Sequence, residues 1–335
     1  MSDSWFSNID VGSLGIAVFG GALRVGTPYL FVSLGECITE RSGRVNLGLE
    51  GTLIMGAMTA YTVSYYAGSH WLVSLASTIG VDASMLLFMA PWLGVLAAGL
   101  VGAMLGTMHA LICNLPRVNF VAVGIAMMVF GIGLANYLGK PMIQPVAMKL
   151  PAVPFGWWAE SEQLRFALRV NALFLIGLVL TPIIAWMLVY TRWGMVLRLA
   201  GESEEAAAAM GYSVNSIRTI ATAIGGFLAG VGGSFLSLYY PGSWTESLSD
   251  GTGLMAVALV IFARWNPLHC LWVSILLFGG FGSLGAALQG QGLSSGAVAY
   301  LWNRAPQILT LVLLFLTTSR DRAMAGAPGV LTQSR

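Results

Sequence analysis

Charge is what this sequence has least of. Only 9% of its 335 residues are Asp, Glu, Lys or Arg, against about 25% in a typical soluble domain. So few charges do not cover the surface of a soluble monomer, which excludes an ordinary soluble enzyme or binding domain. Metal-binding side chains are equally scarce. The three cysteines (Cys37, Cys113, Cys270) form no CxxC pair, and the three histidines (His70, His109, His269) lie far apart. That excludes a zinc knuckle or a dithiol redox motif and leads us to expect no metal site. There is no GxxxxGK[ST] and no HExxH, so the chain carries neither a P-loop nor a zinc-protease helix. No paired-carboxylate arrangement stands out, no catalytic residue is expected, and no basic patch with interleaved aromatics suggests nucleic acid. The opening MSDSWFSNIDVGSLG has two acids and no basic region, which does not fit a cleaved signal peptide.

Apolar residues are what the sequence does have. They make up 57% of it, with 42 glycines, in long runs divided by short polar islands, the pattern of a polytopic helical membrane protein. The runs are about Leu14–Ile38, Leu47–Ala67, Met85–Cys113, Phe120–Leu138, Ala172–Tyr190, Ile220–Tyr240, Leu268–Leu288 and Ile308–Leu316, with a shorter piece at Leu254–Ala263. The expectation is an all-α fold with about eight or nine transmembrane helices in one domain. Its membrane body covers about 14–319, and a flexible tail follows at 320–335. The stretch Lys140–Arg169, with four prolines and the pair Trp157–Trp158, reads as an interfacial loop with aromatic anchors.

Basic residues set the orientation. Placing 191–218 inside puts Arg41, Arg44, Arg117, Arg192, Arg198, Arg218, Arg264, Arg320 and Arg322 on that side. Lys140, Lys149, Arg165, Arg169 and Arg304 fall outside, nine against five. The N-terminus is then external and the C-terminus cytoplasmic.

Two segments, Gly43–Ala60 and Gly251–Pro267, sit in corresponding positions of the two halves, each with a polar entry and a glycine-punctuated apolar run. Paired interrupted segments point to broken helices at a midplane transport site; close helix packing is the plainer use of the same glycines. In the first, Asn46 and Glu50 are spaced i,i+4, which would put both on one helix face. An acid between apolar runs needs protein or a cavity around it. Glu50 either lines the path or braces its inner gate, or it closes a polar network with Arg44 or caps a helix. Arg24, deep in the first run, needs a partner that the sequence does not identify. Asn46, Glu50, Asn119, Asn136, Ser234, Tyr239 and Asn266 are the candidate path residues, helix–helix contacts being the alternative for each.

The longest polar segment between two apolar runs is 191–218. Within it, GESEEAAAAMG reads as a short alanine-rich helix with Glu202, Glu204 and Glu205 in its first turn, where they favour the helix dipole, and with Gly211 ending it. Such a helix suits docking into a soluble partner, a solvated loop being the alternative.

Four stretches carry a family resemblance: GRVNLGLEG (43–51), NLPRVNFVAVGIAM (114–127), TRWGMVLRLAGESEEAAAAMGYSVNSIR (191–218) and GTGLMAVALVIFARWNPL (251–268). They resemble permease subunits of bacterial ABC importers in the branched-chain amino acid/ribose/nucleoside superfamily, most of all the nucleoside and simple-sugar branch served by Bmp-type lipoproteins. The resemblance implies two pseudo-symmetric halves with broken helices in the inner membrane and a cytoplasmic coupling helix holding Gly201, Glu202, Glu204, Glu205, Ala206 and Gly211. It also implies a partner ATP-binding cassette ATPase that uses ATP and magnesium, a second permease subunit and an extracytoplasmic substrate-binding lipoprotein. No cofactor would bind the chain itself, which would translocate a nucleoside or related polar molecule without being an enzyme. GESEEAAAAMG departs from the pattern by carrying glutamates where many relatives have Asn-Pro and a basic residue. A sugar importer is the alternative, and a secondary transporter or channel a further one.

Overall fold

The computed structural model describes residues 11–80, 82–246, 248–290, 302, 304–317 and 326–333. Helix α1 (Val11–Arg41) crosses the whole bundle, and the chain then turns back through 42–48 into α2 (Leu49–Tyr66). The apolar helices α3 (Ala90–Cys113) and α4 (Phe120–Gly139) follow, α4 starting where the Asn119 side chain accepts the N–H groups of Val121 and Ala122. In the loop beyond α4, Ala152–Pro154 pairs antiparallel with Arg169–Asn171, Val153 opposite Val170. This ribbon is the one departure from an all-α fold among the described residues. Trp157 and Trp158 are exposed beside it, as an interfacial anchor requires.

Next come α5 (Ala172–Tyr190), α6 (Arg192–Glu202), α7 (Glu204–Ala209) and α8 (Val214–Leu238). Then follow α9 (Thr252–Phe262), α10 (Pro267–Trp272) and α11 (Gly280–Gly290), the last two joined by a π-helical stretch, Val273–Gly279. Two late helices, α12 (Ala305–Thr317) and α13 (Gly329–Gln333), complete the described chain. Of the tail read as flexible from sequence, 326–333 are described, and Gly329–Gln333 lies against α6, where the Gly329 N–H donates to Glu202 Oε2 at 3.1 Å.

Six helices among the described residues are long and apolar enough to cross a membrane: Gly12–Arg41, Ala83–Cys113, Phe120–Met142, Ala172–Tyr190, Val214–Leu238 and Pro267–Gln289. The eight or nine spans expected from sequence also counted α2, α9 and α12. Helix α2 is 18 residues long and buried without a break from Leu49 to Met58. It is enclosed by α8, α3 and α4, so its surface meets protein rather than lipid and tolerates Glu50, the threonines and the tyrosines. Helix α9, with 11 residues, rises about 16 Å, half of a hydrocarbon core about 30 Å thick.

Helix α8 is the axis of the fold, and its backbone is approached from three sides through glycine. A Cβ on Gly226 would strike the Gly102 carbonyl of α3, and one on Gly35 of α1 would sit 2.6 Å from the Gly225 carbonyl. One on Gly56 of α2 would lie 2.7 Å from Gly230. Such contacts let the helices pack backbone to backbone, where dispersion acts over many atoms.

Candidate functional site

The two segments matched by sequence symmetry meet in space. Helix α9 begins after Gly251 (φ +86°), with its first N–H groups pointing at α2. The Glu50 carboxylate receives them: Gly251 N–H donates to Oε1 at 2.9 Å, and Gly253 and Leu254 N–H donate to Oε2 at 2.6 and 3.4 Å. Gly253 has to be glycine at this spot, because a Cβ would lie 2.6 Å from both the Cα and the N of Glu50. The geometry shows Glu50 as a cap, placed on the other half's helix rather than its own. A negative charge there meets the positive end of the helix dipole and satisfies three orphan donors.

Arg44 does not take part. It donates to the Ala110 carbonyl and to Asn114 Oδ1, both at 2.9 Å. Burial lowers the Arg44 guanidinium from its ordinary value, and the nearby Arg218 charge adds to this; it stays cationic in any working range. The i,i+4 reading of Asn46 with Glu50 is also corrected, because α2 starts only at Leu49. Asn46 sits in the turn before it, its Oδ1 accepting from Gly48 N–H at 2.9 Å and its own N–H donating to Glu36 Oε1 at 2.7 Å.

Glu36 and Glu40 are the acids that sequence reasoning passed over. They stand one turn apart on α1, both buried, so a paired-carboxylate arrangement does exist. Glu36 holds the first-half turn through Asn46, and Glu40 accepts Trp265 Nε1–H just beyond α9.

A cavity of about 250 Å³ opens beside the Glu50 junction, lined by Arg24, Tyr29, Tyr240, Asp250, Thr252 and Gln307 among others. Arg24 donates Nε–H to the Gly20 carbonyl at 3.0 Å and faces this space. Gln307 Oε1 is buried and receives no hydrogen bond from a described group. Asp250 pairs with Arg304 at 2.7 Å, which ties the entry of α12 to the entry of α9. The depth of the cavity follows from α8. Arg218 lies at one face, while Gly232 is level with Pro28, next to Tyr29. Leu236, the α8 residue that lines the cavity, stands eighteen residues from Arg218, about 27 Å, so the cavity lies toward the far end of the bundle from Arg218.

The other sequence candidates do not converge on it. Asn119 and Asn266 cap α4 and α10. Ser234 returns its hydroxyl to the Val231 carbonyl at 2.6 Å, and the Tyr239 hydroxyl donates to the Arg169 carbonyl at 3.1 Å at the opposite face. Burial raises the Tyr239 phenol, so it stays protonated. Asn136 Oδ1 is buried in α4 without a described partner.

Arg41, Arg44, Arg218 and the α9 end at Arg264 gather at one face, together with α6, α7 and α13. Here Glu202 closes α6 rather than opening the alanine helix. Ser203 is extended and caps α7, accepting Ala206 N–H at 3.2 Å, so only Glu204 and Glu205 lie in that first turn. Gly201 is buried, and a Cβ there would strike the Arg41 carbonyl. Gly211 ends the element at φ +83° in open space. Glu205, Ala206, Met210, Gly211 and Tyr212 are exposed. Beneath them lies Arg218, buried, which sequence reasoning counted only as a charge. It pairs with Glu204 at 2.6 Å and donates to the Ser42 carbonyl at 3.0 Å and the Ala200 carbonyl at 3.5 Å. One side chain thus joins α6, α7, α8 and the turn that leads to Glu50.

Comparison with known proteins covers nearly all of this architecture. The family profile for the permease component of branched-chain amino acid transport systems matches residues 18–318. The chain is 30% identical to the nucleoside ABC transporter permease protein NupC of Lactococcus lactis, over 89% of this chain and 91% of the relative. It is 30% identical to the provisionally assigned glucose ABC transporter permease protein TsgC13 of Haloferax volcanii, over 80% and 76%. To the guanosine ABC transporter permease protein NupQ of Bacillus subtilis it is 26% identical, over 92% of each. No solved structure gives a significant match.

Proposed function

The chain belongs to the branched-chain amino acid transport permease family, and from that premise we propose that it is the membrane subunit of an ATP-driven importer for nucleosides or simple sugars. It is a multi-pass protein of the inner membrane and a translocation component rather than an enzyme. The observation that carries the reading is the Glu50 junction: two interrupted segments, one from each half, meet beside a polar cavity. Tyr29 and Tyr240 offer ring faces there, while Thr252, Gln307 and Asp250 offer hydrogen-bonding groups, a mixture suited to a neutral polyhydroxylated ring or a base with its sugar. The similarity to nucleoside and guanosine permeases over nine-tenths of the chain favours a nucleoside over a sugar.

Energy comes from outside the chain. The partners are an ATP-binding cassette ATPase using ATP and magnesium, a second permease subunit and an extracytoplasmic substrate-binding lipoprotein. The cytoplasmic docking element is α7 with its flanks, presenting Glu205, Ala206, Met210 and Gly211 to the ATPase, while Gly201, Glu202 and Glu204 fasten it to the bundle. A rigid push on α7 reaches the cavity by a short route: Glu204, Arg218, the turn 42–48, Glu50 and α9. The test is co-purification of the ATPase with the parent chain and with Ala206→Arg and Met210→Arg. Both changes sit on the exposed surface, so the bundle should stay folded and the ATPase should be lost. Retention of the ATPase by both variants contradicts the docking assignment.

A further inference from the structure

Glu36 and Glu40 are 0% and 1% exposed, on the membrane-crossing helix α1, and each spends one oxygen on a neighbour. Glu36 Oε1 accepts Asn46 N–H, and Glu40 Oε2 accepts the Trp265 indole N–H. The other two oxygens, Glu36 Oε2 and Glu40 Oε1, are buried and accept nothing from the described residues. A spacing of four residues on α1 puts the two carboxyl groups on one face of the helix, a turn apart. Carboxyl groups so placed repel if both are ionised, and two uncompensated carboxylates in a dry interior are costly. Among the described residues no cation pairs with either carboxyl group. The ion pairs among the described residues are Arg218–Glu204 and Arg304–Asp250. Arg41, the nearest arginine in sequence, turns its Nε–H to the Trp265 carbonyl at 3.0 Å.

We infer that Glu36 and Glu40 share a single proton, as an acid–carboxylate pair that latches the two halves of the permease onto α1. One hydrogen between Glu36 Oε2 and Glu40 Oε1 satisfies both orphan acceptors and leaves the pair with one negative charge. The outer oxygens remain acceptors for Asn46 and Trp265. Asn46 stands three residues before the first-half helix α2 and Trp265 three residues after the second-half helix α9, so the latch fixes the end of each segment nearest the basic face. Parting the two carboxyls would release both segments together, which makes the pair a positioning device for the inner closure of the path. It stands on the geometry of α1 and holds whatever solute is carried.

The chemistry makes a specific demand on amides. In Glu36→Gln or Glu40→Gln, the new carbonyl keeps the outer bond and the new NH₂ donates to the remaining carboxylate, replacing the shared proton. In the double variant both outer bonds again take the carbonyls, and two NH₂ groups face each other. The experiment compares the purified full chain, both single variants and the double variant by infrared spectroscopy and thermal unfolding. The expected result is an un-ionised carboxylic acid stretch in the parent that vanishes in each single variant. The singles should melt with the parent and the double clearly below all three. No acid band in the parent, with each single variant melting higher, would mean two repelling carboxylates and overturn the proposal. An acid band persisting in the singles would mean two protons and overturn it equally. If the double variant does not fold, the spectra of the singles still decide.

Discussion

Replacing Glu50 by glutamine changes one oxygen into NH₂ and should break the junction between the halves. The carboxylate accepts three backbone N–H groups, two on Oε2 and one on Oε1. A glutamine keeps its carbonyl on the side of Gly253 and Leu254, which leaves NH₂ pointing at the Gly251 N–H, donor against donor. The loss is one charge-assisted hydrogen bond, about 1.5–3 kcal/mol, together with the favourable charge at the α9 N-terminus, about 0.3–1 kcal/mol. The sum, about 2–4 kcal/mol, moves the closed junction by roughly one and a half to three powers of ten. Glu50→Asp should fail for a different reason, since a side chain one methylene shorter cannot reach across from α2. The assay is paired: thermal unfolding of the detergent-purified chain, and uptake in cells that supply the partner subunits. The melting temperature should fall by several degrees and uptake should collapse, while the amount inserted in the membrane stays the same. A Glu50→Gln protein that matches the parent in both melting and uptake would refute the cap.

Other sites give separate tests. Arg218→Ala removes the bonds to Ser42 and Ala200 and the Glu204 pair. It should cost about 2–3 kcal/mol and uncouple ATP hydrolysis from uptake; basal hydrolysis measured alongside uptake shows the split. Gly226→Val places a branched side chain against the Gly102 carbonyl, so it should abolish folding, seen as loss of the monodisperse peak in size exclusion. Gln307→Ala and Thr252→Ala, at the cavity beside the Glu50 junction, should raise the apparent KM for uptake several-fold with insertion unchanged. Asn119→Ala should cost only a helix cap, about 1 kcal/mol, visible in the melting temperature and absent from the KM.

The sequence made the fold class legible because lipid imposes a strong rule: helices that face it must be apolar along their length, and α3, α4 and α5 are. The same rule explains why the number of spans was not. Helix α2 is sheathed by protein and α9 is half a span long, so hydropathy measures neither. Glu50 was recognisable as an acid that needs surroundings, and the pairing of its segment with 251–267 was visible. That the two segments touch, with one capping the other, depends on a fold that no spacing reveals. Arg218 and Glu36 were hidden for the same reason: their partners lie 176 and 10 residues away along the chain. The docking element was legible as composition, yet its division at Ser203 and the burial of Gly201 emerge only from three-dimensional packing. Of the path candidates, Asn46, Asn119, Ser234, Tyr239 and Asn266 bond to backbone groups, as short polar side chains such as Asn and Ser commonly do.

The most direct test of the account is uptake by proteoliposomes that hold this chain with its ATPase and second permease subunit, the binding protein being supplied outside. The account predicts inward movement of a labelled nucleoside, or of a simple sugar, that requires enclosed ATP and stops when the ATPase is made catalytically inactive. Uptake that continues with the inactive ATPase, or that follows an imposed ion gradient instead, would contradict it.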